Sequence, residues 1–382
     1  MLRITFIEPR APGIHVYTRF RMPRMGLPTM ATRARELGHK VRVYIEDVGK
    51  VDFRAAYDSD LVCLSSISST APRAYAYADK FRQRGVPVLM GGPHPTARAQ
   101  EALQHADWVL RGEADDTFFE FLKKFEARRE LTDIEGLSYR TELGCVHNPA
   151  PERTVDLDTL PIPDLSLIEG YERMRILPVM TSRGCPFHCR FCTARAHWQG
   201  VRWHSAEYVM AEITSGLAEF PDMKRVYFLD DLFIAHKERF EKLHDLWVAD
   251  PQIRDLPATG FVRAGVFDDD AARMMIDMGF RTVRFGAESG SDRVLELLGK
   301  GTTVEDNWRV VEICRRHGLV CTASFMHGIP GETPADAQAT RDFIWQSGIR
   351  VEGWYKFAQW PGTDMYDGSS PLECDMRVRP SS

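Results

Sequence analysis

The stretch Thr181-Ser-Arg-Gly-Cys-Pro-Phe-His-Cys-Arg-Phe-Cys-Thr193 places three thiols, those of Cys185, Cys189 and Cys192, on one short loop. Three thiolates can bind three corners of a [4Fe–4S] cube, whereas ferredoxin-type sites supply four cysteines. The nearest other cysteine on the N-terminal side is Cys145, so the fourth iron is left open for a substrate or a cofactor. The spacing therefore predicts an iron–sulfur cluster.

Zinc is the alternative ligand of this loop, because C-x2-C pairs also bind zinc. A structural zinc site needs a fourth Cys or His at a fixed spacing. His188 lies inside the loop, where it could not readily complete a tetrahedron. The cluster is the stronger of the two interpretations.

The spacing C-x3-C-x2-C, with Phe191 directly before the last cysteine, resembles the signature of the radical S-adenosylmethionine (SAM) enzymes. In that family the open iron chelates the methionine part of SAM, and one electron from the cluster cleaves SAM to a 5′-deoxyadenosyl radical. The resemblance implies a [4Fe–4S] cluster on Cys185, Cys189 and Cys192, with SAM as a second cofactor.

The bulk composition fits an enzyme of more than one domain. The chain has 382 residues, of which 44% are hydrophobic and 27% are charged, and it is longer than a typical single domain. A net charge of −5 provides no basic field of the kind that nucleic-acid binding uses. We expect no nucleic-acid partner.

The sequence also favours a cytoplasmic location. The N-terminal apolar run is too short for a signal peptide, and no stretch approaches the roughly 20 apolar residues of a membrane span. The eight cysteines are too sparse for a disulfide scaffold and fit a reducing compartment.

Short apolar runs alternate with amphipathic segments from residue 2 to about 125, which is typical of βα units around a parallel sheet. The predicted strands are Arg3 to Ile7, Lys40 to Ile45, Leu61 to Ser65, Pro87 to Met90 and Trp108 to Leu110. The predicted helices are Gly26 to Leu37, Pro72 to Arg84, Thr96 to His105 and Asp115 to Phe125. Ligands of such sheets bind beyond the carboxyl ends of the strands.

Three loops at these ends are rich in small residues: Ser65-Ser-Ile-Ser-Ser-Thr70, Gly91-Gly-Pro-His-Pro-Thr96 and Arg111-Gly-Glu113. Glycine and hydroxyl residues allow a bulky ligand to approach the backbone, although ordinary βα loops explain them equally well. Their order and spacing resemble the cobalamin-binding domain found ahead of many radical SAM domains. The resemblance implies cobalamin contacts at Ser65, Ser66, Thr70, Gly91, Gly92, His94, Gly112 and Glu113.

One motif of cobalamin-dependent methyl carriers is missing. Those proteins bind cobalt from below through Asp-x-His-x-x-Gly after the first strand, and the corresponding stretch here is Glu8-Pro-Arg-Ala-Pro-Gly13. His15 is nearby but out of register. We therefore expect no imidazole ligand to cobalt from this motif, which radical SAM relatives commonly lack.

Six further βα units follow a proline-punctuated connector, which is predicted to be a small hairpin followed by a strap. The predicted strands are Val179 to Ser182, Arg225 to Leu229, Thr259 to Arg263, Thr282 to Gly286, Val320 to Phe325 and Gly353 to Phe357. A complete eight-unit barrel needs about 250 residues. The roughly 180 residues available fit the partial (β/α)6 barrel of the radical SAM enzymes better.

Residues that resemble the SAM contacts of the family follow these barrel strands. The resemblance assigns them to Asp230, Asp231, Arg263, Glu288, Ser289, Gly328 and Gly331. The residues alone leave other interpretations open, since an acidic pair also stabilises a helix N-terminus and a lone arginine often forms a structural ion pair. The choice between Asp230 and Asp231 stays open at this stage.

The predicted organisation is α/β throughout. A Rossmann-like, doubly wound parallel sheet of the cobalamin-binding type occupies residues 1–130, followed by a linker over 131–177, a partial TIM-like (β/α)6 radical SAM barrel over 178–366 and a tail over 367–382. Relatives commonly continue into a helical segment that caps the substrate cavity, whereas this sequence ends within sixteen residues of Tyr366.

The resemblance implies a cobalamin-dependent radical SAM methyltransferase that acts on an unactivated carbon of a small molecule. A non-methylating cyclase or rearrangement enzyme is the alternative, and a corrinoid or iron–sulfur electron-transfer protein is the alternative of another class. A flavodoxin or ferredoxin is the expected electron donor.

Overall fold

The apolar runs of the N-terminal part form a seven-stranded sheet in the computed structural model, which describes residues 1–11, 22–151 and 154–368. The predicted tail from residue 369 onward, Cys374 and His15 lie outside the described residues. The chain divides into two units, Met1–Met174 with Ala196–Gln199, and Arg175–Arg195 with residues 200 to 368.

The sheet of the first unit is mostly parallel. Its strands are β1 (Arg3–Glu8), β2 (Lys40–Ile45), β3 (Leu61–Ser65), β4 (Val88–Gly91), β5 (Trp108–Leu110), β6 (Leu137–Thr141) and β7 (Gly144–His147). The order is β2-β1-β3-β4-β5-β6-β7, and the first five strands are parallel. The five predicted strands are confirmed.

The strand order identifies where this sheet can bind a ligand. The chain moves outward from β1 to β2 and then returns to the other side of β1 at β3. This is the 2-1-3-4-5 doubly wound order, whose ligand-binding crevice lies at the carboxyl ends of the strands, where the order reverses. The predicted hairpin is also confirmed, and it extends the sheet because β6 pairs antiparallel with β5 and with β7.

Helices cover this sheet, and their packing corrects one prediction. They are α1 (Gly26–Glu36), α2 (Phe53–Ala56), α3 (Ala71–Arg82), α4 (Pro93–Ala97), α5 (Ala99–Ala102) and α6 (Thr117–Glu126). The single helix predicted from Thr96 to His105 is wrong, because Arg98 leaves the helical region (φ −129°, ψ 46°) between α4 and α5. The Thr96 hydroxyl donates to the Gly92 carbonyl at 2.8 Å, so the first turn is held directly behind β4.

The second unit contains six parallel strand positions. Its strands are β8 (Ile176–Val179), β9 (Ser182–Arg183), β10 (Arg202–Trp203), β11 (Arg225–Phe228), β12 (Ala258–Thr259), β13 (Phe261–Val262), β14 (Thr282–Glu288), β15 (Val320–His327) and β16 (Arg350–Lys356). The parallel order is β8-β11-β12 and β13-β14-β15-β16, and only Gly260 separates β12 from β13. Within the described residues β8 and β16 do not pair, so the arrangement is an open six-stranded barrel.

The boundaries of three predicted barrel strands are shifted. The strand predicted from Gly353 to Phe357 begins at Arg350 and ends at Lys356. The strand predicted from Val179 to Ser182 ends at Val179, and Ser182 and Arg183 instead pair antiparallel with β10. The third strand is interrupted at Gly260, where an added Cβ would lie 3.4 Å from the Phe228 Cβ. At this position the backbone packs against the aromatic core at ordinary van der Waals distance.

Helices α7 (Ala194–His197), α8 (Ala206–Glu219), α9 (Lys237–Ala249), α10 (Asp269–Asp277), α11 (Asp292–Leu297), α12 (Val304–His317) and α13 (Pro334–Ser347) complete the chain in the described residues. Helices α12 and α13 each begin with a capping box, at Thr303 with Asp306 and at Thr333 with Asp336. Such boxes satisfy backbone N–H groups that the helix leaves free.

Phe228 stacks on Phe233 in the buried core, with ring centroids 4.1 Å apart.

Glu212 makes the stability of the second unit pH-dependent. It is buried in α8, and burial, reinforced by the charge of Asp230, raises the pKa of its carboxyl from 4.5 to about 8. The folded state thus keeps its proton where the unfolded chain has lost it. The contribution of Glu212 to the stability of the folded state is fully present below about pH 4.5. It falls as the pH rises and is lost above about pH 8.

We expect Glu212→Gln to match the wild-type protein near pH 5 and to be more stable at pH 9, by on the order of a few kcal/mol. Urea unfolding at both pH values measures the difference. Glu219→Gln, at the exposed end of the same helix, is the control. Equal pH dependence in the Glu212 variant and the wild type would contradict the assignment.

Candidate active site

The three cysteines lie on the loop between β9 and α7, and each side chain is half-buried. The loop closes on itself through a hydrogen bond from the Cys192 N–H to the Cys189 carbonyl, at 3.1 Å. Burial raises the pKa of the Cys192 thiol to about 12 and also raises the pKa of Cys185. Both thiols favour the protonated form unless a bound metal group stabilises the thiolates.

The donor set fits an iron–sulfur cluster. All three thiols are free. In the part of the chain that the structure describes, no three His, Cys, Asp or Glu side chains converge closely enough to hold one metal ion. A four-iron cluster places each thiolate on a different iron and does not require such convergence. Cys185, Cys189 and Cys192 would hold the cluster.

Cys189 is in contact with the barrel through two residues. The Arg263 Nη1 donates to the Cys189 Sγ at 3.5 Å, and the Lys300 carbonyl lies 3.9 Å from the same sulfur. The Arg263 guanidinium also donates to the Lys300 carbonyl and covers the Phe187 ring at 3.9 Å from its centroid. Sequence reasoning assigned Arg263 to SAM, and in the structure its guanidinium is part of the cluster loop's surroundings.

Glu288, at the end of β14, has an unusual backbone. It is one of two non-glycine residues with positive φ (62°) in the described residues. Its carboxylate pairs with the Lys300 ammonium at 2.7 Å and folds back over Gly286, where an added Cβ would lie 2.1 Å from the Glu288 Oε1. Left-handed backbone at a non-glycine residue is costly and often marks a functional site. Lys300 was not among the predicted site residues.

The next residue, Ser289, faces away from this cluster of charges. Its side chain is fully buried, and its hydroxyl lies 3.0 Å from the Thr340 hydroxyl and accepts a hydrogen bond from the Ser291 N–H. These contacts join the end of β14 to α13. Ser289 therefore supports the loop that carries Glu288.

The neighbouring carboxylates Asp230 and Asp231 occupy different environments. Asp230 is buried and accepts hydrogen bonds from the Thr181 and Ser182 hydroxyls, both at 2.8 Å. Burial raises the pKa of Asp230, and the charge of Arg239 opposes the rise. Asp231 is exposed, and its charge contributes to the raised pKa values of Cys185 and Cys192. Asp231 is thus the carboxylate that acts on the cysteine loop.

The loop after β15 depends on glycine. Gly328 and Gly331 both adopt the left-handed region, with φ of 71° and 87°. The Gly328 N–H donates to the Glu332 carboxylate at 2.5 Å. An added Cβ at Gly331 would lie 3.3 Å from Leu297. The turn therefore presents backbone groups without side chains beside α11.

In the first unit, the loops after β3 and β4 form a cradle at the carboxyl edge of the sheet. Gly92 has φ of 94°, and a Cβ there would lie 2.7 Å from the Ser65 Oγ and 2.9 Å from the Ser66 carbonyl. The hydroxyls of Ser66 and Ser69 are buried and have no hydrogen-bond partner among the described residues. Buried polar groups without partners are rare, so these hydroxyls fit a ligand with polar groups, such as the amide-rich cobalamin.

The other predicted cobalamin residues are occupied by internal bonds. The Thr70 hydroxyl donates to the Ile67 carbonyl at 3.2 Å. The Gly112 N–H donates to the Thr96 hydroxyl at 2.9 Å. The Glu113 carboxylate accepts from the Gln199 N–H at 3.0 Å. Thr70 and Gly112 hold the loops in place, and Gly91 supplies the last residue of β4.

His94 is buried below this edge. Its Nδ1 lies 2.9 Å from the Ser68 hydroxyl and its Nε2 lies 3.3 Å from the Glu101 carboxylate. Burial lowers the pKa of His94, whereas its partners lower the pKa of Glu101 despite burial. A neutral imidazole between a hydroxyl and a carboxylate orders the loop. Sequence reasoning did not find Glu101, because this residue lies outside the three loops and belongs to no recognised motif.

Glu8 is a third residue that sequence reasoning missed. It ends β1, is buried, and receives the Arg24 N–H at 3.3 Å. Burial raises the pKa of its carboxyl to about 7, against the opposing charge of Arg24. In the sequence, Glu8 is only the first residue of the stretch that lacks the cobalt-binding histidine.

The folds and loops together define a class of protein: an enzyme with a six-stranded barrel that carries a three-cysteine cluster loop, joined to a doubly wound sheet of the cobalamin-binding type. Residues 179–344 match the radical SAM superfamily, and residues 14–122 match the B12 binding domain. The chain is 33% identical to an uncharacterized methyltransferase of Pyrococcus horikoshii over 365 residues, which cover 90% of this chain and 78% of that protein. The chain therefore belongs to the cobalamin-dependent radical SAM enzymes, whose cofactors are a [4Fe–4S] cluster, SAM and cobalamin.

Two further proteins are similar to this chain. The structure of the radical SAM methyltransferase TsrM from Kitasatospora setae, with tryptophan and a SAM analogue bound, superposes with a TM-score of 0.77 at 19% identity, over 95% of this chain and 74% of that chain. The chain is 24% identical to the anaerobic magnesium-protoporphyrin IX monomethyl ester cyclase of Rubrivivax gelatinosus over 302 residues, covering 73% of this chain and 52% of the cyclase. No helix in the described ranges is long and apolar enough to cross a membrane.

We expect Gly92→Ala to weaken cobalamin binding and to destabilise the protein. The Gly92 backbone, at φ 94° and ψ 179°, lies in a region that is essentially restricted to glycine and strains a residue with a Cβ by roughly 1–3 kcal/mol. The new methyl would also meet the backbone of Ser66 at 2.9 Å. Thermal unfolding and cobalamin absorbance after reconstitution measure the two effects.

Gly85→Ala is the matched control for this variant. Gly85 has a similar φ of 75°, and its Cβ would have no atom within 4 Å. The control therefore adds a Cβ at another positive φ but without the steric clash. Equal losses in both variants would show that Gly92 is not needed for space in the cradle.

Proposed function

We propose that this enzyme is a methyltransferase that transfers a methyl group to an unactivated carbon of a small molecule. The observation that carries the proposal is that one chain holds both a three-cysteine cluster loop on a barrel and a ligand cradle with orphaned buried hydroxyls on a doubly wound sheet. Neither site alone supplies both a radical and a methyl group. The similarity to named methyltransferases supports the same choice.

The bound cofactors supply the chemistry, a 5′-deoxyadenosyl radical from the cluster with SAM and a methyl group from cobalamin. The chain holds and orients them. Cys185, Cys189 and Cys192 bind the cluster, and Ser66 and Ser69 donate hydrogen bonds to cobalamin from the carboxyl edge of the sheet. The cradle formed at Gly92 lets the ligand approach the backbone.

We assign SAM to the ends of the barrel strands. Asp231 is exposed beside the cysteine loop and carries the charge that the ammonium of SAM requires. Gly328 and Gly331 leave room for the nucleoside along the loop after β15. Glu288 is held by Lys300 at 2.7 Å, so the pair presents a fixed charged surface to polar groups of SAM.

The alternative is a cobalamin-dependent radical enzyme that does not methylate and instead closes or rearranges a ring. The similarity to the magnesium-protoporphyrin ester cyclase favours it. Product mass discriminates the two, because a methyltransferase adds the mass of one methylene group and a rearrangement adds none. An electron-transfer protein, the alternative of another class, would form no 5′-deoxyadenosine.

We further propose a cytoplasmic enzyme whose cluster is reduced by a flavodoxin or ferredoxin. A reducing compartment keeps the three cysteines as thiols until the cluster is assembled.

Replacement of Asp231 is expected to weaken SAM binding. A charge-assisted hydrogen bond contributes roughly 1.5–3 kcal/mol, so Asp231→Asn should lower SAM affinity by about tenfold or more without unfolding the protein. Anaerobic titration calorimetry on the reconstituted protein measures the affinity. Asp230→Asn is the matched control, because Asp230 is bonded to Thr181 and Ser182 and should leave SAM affinity unchanged. A loss confined to the Asp230 variant would reverse the assignment.

Anaerobic reconstitution with iron, sulfide and hydroxocobalamin tests the proposed function as a whole. We expect about four irons per chain, stoichiometric cobalamin, and 5′-deoxyadenosine when SAM and a strong reductant are added. Cys189→Ala should abolish 5′-deoxyadenosine, whereas Cys145→Ala, at an exposed hairpin cysteine, should not. A cluster-loaded protein that binds no cobalamin would exclude methyl transfer from cobalamin.

A further inference from the structure

Arg263 is a buried cation next to the cluster loop. Its exposure is only 8%, and it follows directly after β13. In the described part of the chain no carboxylate forms an ion pair with it, whereas Lys300 beside it is neutralised by Glu288 at 2.7 Å. Burying a charge without a counter-charge is costly, so the site around Arg263 requires an anion.

The contacts of Arg263 indicate where that anion lies. Its Nη1 donates to the Cys189 Sγ at 3.5 Å, and its other terminal nitrogen donates to the Lys300 carbonyl. The Phe187 ring covers its plane at 3.9 Å. These three contacts, with the cluster loop and the barrel, fix the guanidinium. It cannot turn away from the sulfur without breaking them.

We propose that Arg263 is a positioning residue for the iron–sulfur cluster. Its guanidinium holds the Cys189 corner of the loop and raises the reduction potential of the cluster. The net charge of a cluster and the hydrogen bonds to its sulfurs set its potential. A buried cation that donates to a ligand sulfur stabilises the reduced cluster, because that state carries one more negative charge. Arg263 therefore makes the one-electron reduction that precedes SAM cleavage easier.

Lys300 has a supporting part in this arrangement. Its carbonyl accepts from Arg263 and lies 3.9 Å from the Cys189 sulfur, so one peptide group fixes the distance between the two. Its ammonium is held by Glu288, whose left-handed backbone aims the carboxylate at it. The segment from 288 to 300, which includes α11, thereby sets the position of the arginine.

Redox titration monitored by electron paramagnetic resonance tests the proposal. The full chain is reconstituted anaerobically and titrated with dithionite and mediators, without SAM. We expect the equilibrium constant for reduction to fall by about tenfold in Arg263→Gln, which is about 59 mV for a one-electron couple. Arg263→Lys keeps the charge and should lie between Arg263→Gln and the wild-type protein.

Arg190→Met is the matched control. Arg190 is a cation of the same loop, but it is exposed and its Nη1 donates to the Leu297 carbonyl at 3.2 Å. Its removal should leave the potential unchanged. Wild-type potentials in both Arg263 variants, with a reduced affinity for SAM, would overturn the proposal and return Arg263 to the SAM carboxylate. If Arg263→Gln does not assemble a cluster, Arg263→Met removes the charge with another unbranched side chain, and a wild-type potential in that variant would overturn the proposal equally.

Discussion

Parallel strands impose the constraint on which both units depend. A parallel pair must be joined by a crossover, so every carboxyl end lies at the same edge of its sheet. The loops that leave these edges converge although their sequences are far apart. In the first unit this edge gathers the serines after β3 and the glycines after β4. In the second unit it gathers the cysteine loop, Asp231, Arg263 and Glu288.

The charges and partners of the residues in the second unit distinguish their structural and functional roles. Lys300 is satisfied by Glu288, and Asp230 is satisfied by two hydroxyls. Arg263 is a buried cation and Asp231 an exposed carboxylate beside the cysteine loop. A metal cluster with thiolate ligands suits the first, and the ammonium of SAM suits the second. Of the two neighbouring carboxylates, Asp230 thus has a structural role and Asp231 a functional one.

The cradle of the first unit follows a different principle, since it depends on space and on unpaired hydroxyls. Gly92 permits the close approach of β3 and β4 loops, and His94 orders the chain beneath them through Ser68 and Glu101. Ser66 and Ser69 keep their hydroxyls buried and without partners in the described residues. A ligand that brings many polar groups recovers the cost of burying them.

The sequence by itself determined the cluster loop, the five strands of the first sheet and the six strand positions of the barrel. The cysteine spacing is a property of one short segment, and the apolar runs reflect strands that are buried on both faces. These features are local, so neighbouring residues suffice to predict them. The arginine and the carbonyl that contact Cys189 lie 74 and 111 residues away from it, and no local pattern shows that they meet this sulfur.

Only the tertiary structure distinguished Asp230 from Asp231, because successive residues after a strand point in different directions that depend on what packs around them. It also showed that His94 is buried and bonded below the cradle. The contact of Gly260, between β12 and β13, with Phe228 likewise joins separate strands. Burial and long-range partners are set when elements meet, and that information is absent from any single segment of the chain.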